Sequence, residues 1–173
     1  MAEGELRPDA IAPPAILRRP VETDHPAVVA VVDEWWGGRR MRALLPRLWF
    51  RHFKGTSWIA ESPDGRLLGF LVGFVSPDTP AEAVVHLVGV DPNVRRRGLG
   101  RRLVERFADD LASAGATRLS AVVPPDDRGP LDFFRALGFR PLEGPGSVRL
   151  WGTPAFEDLD GPGADRAILV REP

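Results

Sequence analysis

Apolar residues recur along this chain with two different periods, and the change of period marks its elements. Ile16 to Val21 reads as a short first strand. Thr23 or Asp24 then offers an N-cap, with Pro26 in the first turn of a helix. Val28, Val29, Val31, Val32, Trp35 and Trp36 supply its apolar face, and Gly37-Gly38 stops it. Met41, Leu44, Leu45, Leu48 and Trp49 recur at spacings of three and four, which predicts a second helix running to Phe53 with a break near Pro46.

The period then shortens. Ser57 to Glu61 and the apolar run Leu67 to Val75 read as strands joined by the turn Pro63-Asp64-Gly65. After a turn at Pro77 to Pro80, Ala83 to Val90 is a third consecutive strand, and Asp91-Pro92 closes it. Leu99, Leu103, Phe107 and Leu111 step by four, with Gly115 placed to cap the helix they predict. Leu119 to Val123 is a strand, Leu131 to Leu137 a short helix before Gly138, and Val148 to Trp151 and Ala167 to Arg171 are strands around a polar loop at Glu157 to Asp165. This order of elements is a mixed α/β layout in which hairpins precede helix crossovers, unlike a doubly wound nucleotide fold.

With 173 residues, 43% of them hydrophobic and 27% charged, the chain matches one ordinary domain. Residues 15–173 are expected to form it, behind a flexible tail at 1–14 that contains Pro8, Pro13 and Pro14. A net charge of -1 removes the electrostatic case for a dedicated nucleic-acid or anionic-membrane binder. The absence of cysteine excludes disulfides, a thiolate nucleophile and Cys-ligated metal. No metal site is expected. With neither a signal-type apolar segment nor a membrane-length run, the expectation is a cytoplasmic protein with no membrane and no nucleic-acid partner.

The most informative stretch is Val88 to Val104, where a strand ends in Asp91-Pro92, a basic loop with two glycines follows, and a strong helix begins. Exposed N–H groups at such a helix start, together with its dipole, suit an anion such as a pyrophosphate; the alternative is a helix start softened by glycines with arginines on a solvated surface. The surroundings contain no G-x-x-x-x-G-K-[ST] and no G-x-G-x-x-G after the first strand, so neither a P-loop nor a Rossmann site is present. Arg95-x-x-Gly98-x-Gly100 in this setting resembles the acyl-CoA signature of the GNAT superfamily of N-acetyltransferases. Phe133-Phe134-Arg135-Ala136-Leu137-Gly138-Phe139 is similar to the end of that family's next helix, where Tyr usually stands in place of Phe134. The resemblance spans Ile16 to Leu142.

It implies a single α/β domain, with a mixed sheet of six to seven strands in which the fourth and fifth splay apart and about four helices flank the sheet. Acetyl-CoA would lie in the splay as cosubstrate. Val88, Gly89 and Val90 would line its pantetheine arm, and Arg95, Arg96, Arg97, Gly98, Leu99, Gly100 and Arg101 would hold its pyrophosphate. Asp127 and Phe134 would contact it as well. The implied reaction is transfer of the acetyl group to a primary amine of a small molecule by direct attack in a ternary complex. Many relatives pair as homodimers through late strands.

An amine must lose a proton before attack. His86 lies two residues before Val88, on the same face if alternation is regular, and is the first candidate base; its alternative is a neutral ring satisfied by a backbone group. Glu82 is a second candidate, able to relay a proton through water. The chain has no tyrosine, so Phe134 offers no proton to the leaving thiolate. That departure keeps open a non-catalytic acyl-CoA sensor, beside an acetyltransferase acting on a protein amine. Acceptor contacts are expected from Glu34, Trp35, Trp36 and Arg39, at the junction of the first two helices.

Overall fold

The computed structural model describes residues 14–172. Apart from Pro14, the expected N-terminal tail lies outside the described residues. The elements are β1 (Ile16–Arg18), α1 (His25–Trp35), α2 (Leu48–His52), β2 (Trp58–Glu61), β3 (Leu67–Val75), β4 (Glu82–Val90), α3 (Leu99–Ser113), β5 (Arg118–Val123), α4 (Arg128–Ala136), β6 (Arg140–Pro141), β7 (Val148–Leu150), β8 (Thr153–Ala155) and β9 (Ala167–Arg171). Seven strands form one sheet in the order β1-β2-β3-β4-β5-β9-β6, and β7 and β8 pair separately. Neighbours in the large sheet are antiparallel except β4 and β5, which run parallel. The expected mixed sheet and four helices are therefore present.

The sheet is covered on both faces. On one, α3 buries Leu99, Leu103, Val104, Phe107, Ala108 and Leu111 and joins Leu131 and Phe134 of α4 in one cluster. Glycines in β3 make room for it. A Cβ on Gly69 would stand 2.9 Å from the Gly89 carbonyl oxygen and 3.3 Å from Leu103, and one on Gly73 would stand 2.6 Å from the Phe107 ring. On the other face Val28, Val32 and Trp35 of α1 and Trp49 and Phe50 of α2 cover Ile59, Phe70 and Val72.

Several elements differ from the periodicity, α4 among them, which begins at Arg128 and not at Leu131. The second helix is reduced to one short turn at Arg42–Leu44 and the five residues of α2, because Pro46 interrupts the main-chain bonding between them. The first strand ends at Arg18, just before Pro20. The last third holds two extra strands, β6 and β8. Trp151 (φ 46°) and Gly152 (φ 80°) make the tight turn joining β7 to β8, a left-handed pair that the period alone does not announce. Among the described residues no helix is long and apolar enough to cross a membrane.

Candidate functional site

β4 and β5 pair from Glu82↔Arg118 to Val85↔Ala121 and no further, while β4 continues to Val90 along β3. The Asp91 amide donates to the Leu68 carbonyl of β3's side. By strand alternation the main-chain groups of Val88 and Val90 therefore face the gap that β5 has left. Gly89 shows its Cα to the α1 face. A Cβ there would stand 2.7 Å from the Trp36 ring, so Trp36 lies directly on the separated part of β4.

A bulge interrupts β4 just before the gap. The register passes from Val72↔Leu87 to Gly73↔Val85, so His86 is an extra residue without a partner on β3. Val85 and Val88 both belong with the α3 side, and Leu87 packs on the α1/α2 side. The His86 ring also turns to that side, stacked on Trp49 with centroids 4.3 Å apart. The regular alternation expected to place His86 on one face with Val88 is thus broken by the bulge. His86 Nε2 donates to the Leu44 carbonyl at 2.7 Å. A carbonyl only accepts, so the neutral ring carries its proton on Nε2 and keeps Nδ1 as an acceptor. Burial pulls the His86 pKa below 6.5, and the Leu44 bond partly opposes the shift. His25 Nε2 meets the adjacent Leu45 carbonyl at 2.9 Å, so two histidines hold successive residues of the segment before α2.

Glu82 stands at the other end of β4. Six residues separate it from Val88 along the sequence, about 20 Å of extended strand. It accepts from Ser120 Oγ at 2.6 Å and, with Thr79, Ala112, Arg118 and Glu172, lines an open recess of about 660 Å³ at the closed end of the strand pair. The structure brings it together with neither Val88 nor His86.

Beyond β4 the chain turns at Asp91, a buried carboxylate that accepts from Asn93 N at 2.9 Å and pairs with Arg66 at 3.0 Å. Arg95 then folds back. Its Nε donates to the Val90 carbonyl at 3.0 Å and its Nη2 to the Trp35 carbonyl at the end of α1. Arg101 is similarly occupied, donating to the Ala136 carbonyl at the end of α4. Arg96 and Arg97 are exposed and make no side-chain hydrogen bond or ion pair among the described residues. Arg96 (φ 62°) and Gly98 (φ 81°) are both left-handed, and Gly98 is the N-cap of α3. Among the described residues no main-chain N–H from Arg96 to Arg101 donates to a protein acceptor; the first amide to do so is Arg102, to Gly98. Leu99, 1% exposed, anchors the helix start in the core and so fixes where those amides point. These unspent donors and the two free guanidinium groups fit a pyrophosphate.

Packing explains two further positions of the expected cofactor set. Gly100 owes its lack of a side chain to Phe133, whose ring would lie 2.9 Å from a Cβ there. Phe133, which opens the motif but has no contact assigned from the sequence, therefore sits beside Gly100 and Val90. Phe134 is 5% exposed and packs edge-on against Phe133 and Phe139, a core position.

Of the acceptor candidates, Trp35 is buried and stacked on Phe70, and Glu34 is exposed. Trp36 and Arg39 face the gap region. Arg39 pairs with Asp127, which joins the loop after α1 to the loop after β5. Asp33, also unannounced by spacing, holds the other side of the α1 loop by accepting from Met41 N at 2.7 Å, Arg42 N at 2.9 Å and Arg42 Nε at 2.8 Å. Those donors, the Arg42 amide first, keep its carboxyl below the ordinary aspartate value.

The chain is similar in sequence and in shape to known acetyltransferases. An L-2,4-diaminobutyric acid acetyltransferase of Nocardia farcinica is 38% identical over 93 residues, 54% of this chain and 48% of that protein. A mycothiol acetyltransferase of Kocuria rhizophila is 33% identical over 98 residues, half of this chain and 32% of that protein. The chain thus spans about half or less of the curated relatives it matches. In shape it is similar to the diaminobutyrate acetyltransferase of Paenibacillus lautus solved with L-2,4-diaminobutyric acid and coenzyme A, with a TM-score of 0.66 and 21% identity over 92% of this chain and 95% of that one. It is also similar to Ard1 of Thermoplasma volcanium, with a TM-score of 0.70 and 20% identity over 91% and 97% of the two chains. The family model for the Acetyltransferase (GNAT) family matches residues 22–139, from the start of α1 through α4, and the chain belongs to that family.

Proposed function

We propose that this protein is an acetyl-CoA-dependent N-acetyltransferase that acylates a primary amine of a small molecule by direct attack in a ternary complex. The observation that carries it is the row of unspent main-chain N–H groups from Arg96 to Arg101, next to the point where β4 and β5 part. Acetyl-CoA supplies the acetyl thioester.

The chain's own residues do the rest. The amides of Arg96 to Arg101, helped by the Arg96 and Arg97 side chains, hold the pyrophosphate. The gap-facing edge of Val88 and Val90 holds the extended amide arm and sets the thioester near the bulge, where positioning alone contributes several kcal/mol. His86 takes the proton of the incoming ammonium on Nδ1, since its Nε2–H is committed to Leu44. The amine nitrogen bonds to the thioester carbon as the carbon–sulfur bond breaks, and the nitrogen gives up its second proton to solvent to leave the neutral amide. Solvent protonates the departing sulfur, because Phe134 has no hydroxyl and the chain has no tyrosine. The names of the sequence relatives, diaminobutyric acid and mycothiol acetyltransferases, favour a small-molecule acceptor.

The test is release of free thiol from acetyl-CoA across a panel of primary amines. Turnover confined to one chemical class of amine supports the transferase. Tight binding without release on any amine replaces it by an acyl-CoA sensor.

A further inference from the structure

Asp127 occupies the N-cap of α4, where an aspartate normally accepts a helix amide, yet its carboxylate makes no capping bond. It turns instead to Arg39. Asp127 is well covered, with 14% of its side chain exposed, whereas Arg39 is 57% exposed, and Asp126 lies near enough to act on the same guanidinium. The pair ties the loop after α1 to the loop after β5, the strand that has parted from β4, and Trp36, three residues before Arg39, lies on Gly89 of the separated stretch. Arg39 is carried between two fixed points, the end of α1 and the Met41–Arg42 main chain held by Asp33, and Gly37 (φ 68°) and Gly38 (φ 86°) lead into it with open space around both.

The loop after α1 is rich in cations: Arg39, Arg40 and Arg42 follow Gly37-Gly38 directly, with Asp127 and Asp33 taking up the charge of Arg39 and Arg42. Arg40 has no ion-pair partner among the described residues, so beside the Arg39–Asp127 pair a carboxylate meets an unspent cation.

Resting on the transferase reading above, we infer that Arg39 and Asp127 are the acceptor's specificity clamp and that the acceptor is an amine carrying its own carboxylate. Such a zwitterion enters the ion pair head to tail, its carboxylate on the Arg39 guanidinium and its ammonium on Asp127, so that one ion pair is exchanged for two. Arg39, the exposed member of the pair, swings into solvent to open it, while Asp127 stays covered and passes from one cation to another. Asp127, freed from capping, orients the ammonium, and Arg39 selects for the carboxylate.

The test sets diaminobutyrate, ornithine and lysine each against the diamine left when its carboxylate is removed, with acetyl-CoA binding measured by calorimetry on every variant. The clamp predicts kcat/KM at least about tenfold higher for the carboxylated member of a pair, a ratio that collapses toward one in Arg39→Met and survives in part in Arg39→Lys. Equal rates within the pairs overturn the clamp and leave the transferase standing. A loss in Arg39→Met that is the same for both members also overturns it, since Arg39 is then only a tie between loops. Acetyl-CoA binding with no acceptor turned over overturns the transferase, and the clamp with it.

Discussion

His86 lies flat on Trp49, with planes 16° apart, while its Nε2 donates to the Leu44 carbonyl at 2.7 Å. The ring thus ties β4 to the segment before α2, and it does so as a neutral group. Replacement by alanine leaves the Leu44 carbonyl without its donor and costs about 1–3 kcal/mol in urea unfolding. Glutamine retains a donor and costs less.

The same residue makes stability depend on acid. Its folded pKa is lowered from 6.5, so its contribution is complete above that value and is lost as the pH falls through the folded pKa. The urea midpoint of the wild type is expected to drop more between about pH 7.5 and pH 5 than that of His86→Gln. Equal drops in the two proteins would show that the ring is not held neutral. For activity, kcat/KM has an acid limb below 6.5 that His86→Gln removes if Nδ1 is the base.

The arginines of the α3 loop divide into two classes. Arg95 joins the Val90 and Trp35 carbonyls, so Arg95→Met is predicted to cost about 1–2 kcal/mol of stability. Arg96→Gln and Arg97→Gln change stability by less than about 0.5 kcal/mol and instead weaken acetyl-CoA binding in a salt-dependent way. Thermal melts and calorimetry on the three variants separate the classes, and an unstable Arg97→Gln with normal affinity would reverse the assignment.

Gly100 and Phe133 form a packed pair. A methyl group at Gly100 meets the Phe133 ring at 2.9 Å, so Gly100→Ala is expected to lose about 1–3 kcal/mol, and Phe133→Leu should return part of it. Additive losses in the double variant would mean that the ring is not what excludes the side chain.

How far this was legible follows from the range of each interaction. The core strands and α3 stand where periodicity puts them, since Leu67 to Val75 and the steps Leu99, Leu103, Phe107, Leu111 are strong local patterns that burial reinforces. The helix start after Asp91-Pro92 was legible for the same reason, because it depends on neighbours in sequence. The bulge at His86 was not, since it arises from register against β3, and alternation counted along one strand cannot see it. The pairing of Arg39 with Asp127, the tie of Arg95 to Trp35 and the fit of Phe133 on Gly100 join residues far apart in the chain, and spacing carries no trace of them. Strands β6 and β8 are too short for a period to register.

The central claim is that the unspent amides before and within the first turn of α3 bind the pyrophosphate of acetyl-CoA. The measurement that tests it most directly is a calorimetric titration of the protein with acetyl-CoA, repeated with acetyl-pantetheine, which keeps the thioester arm and lacks the nucleotide diphosphate. The predicted result is saturable binding of acetyl-CoA and an affinity for acetyl-pantetheine lower by at least about a hundredfold, or about 2.7 kcal/mol. Equal affinities, or no binding of acetyl-CoA, would contradict the assignment of this helix start as the cofactor site.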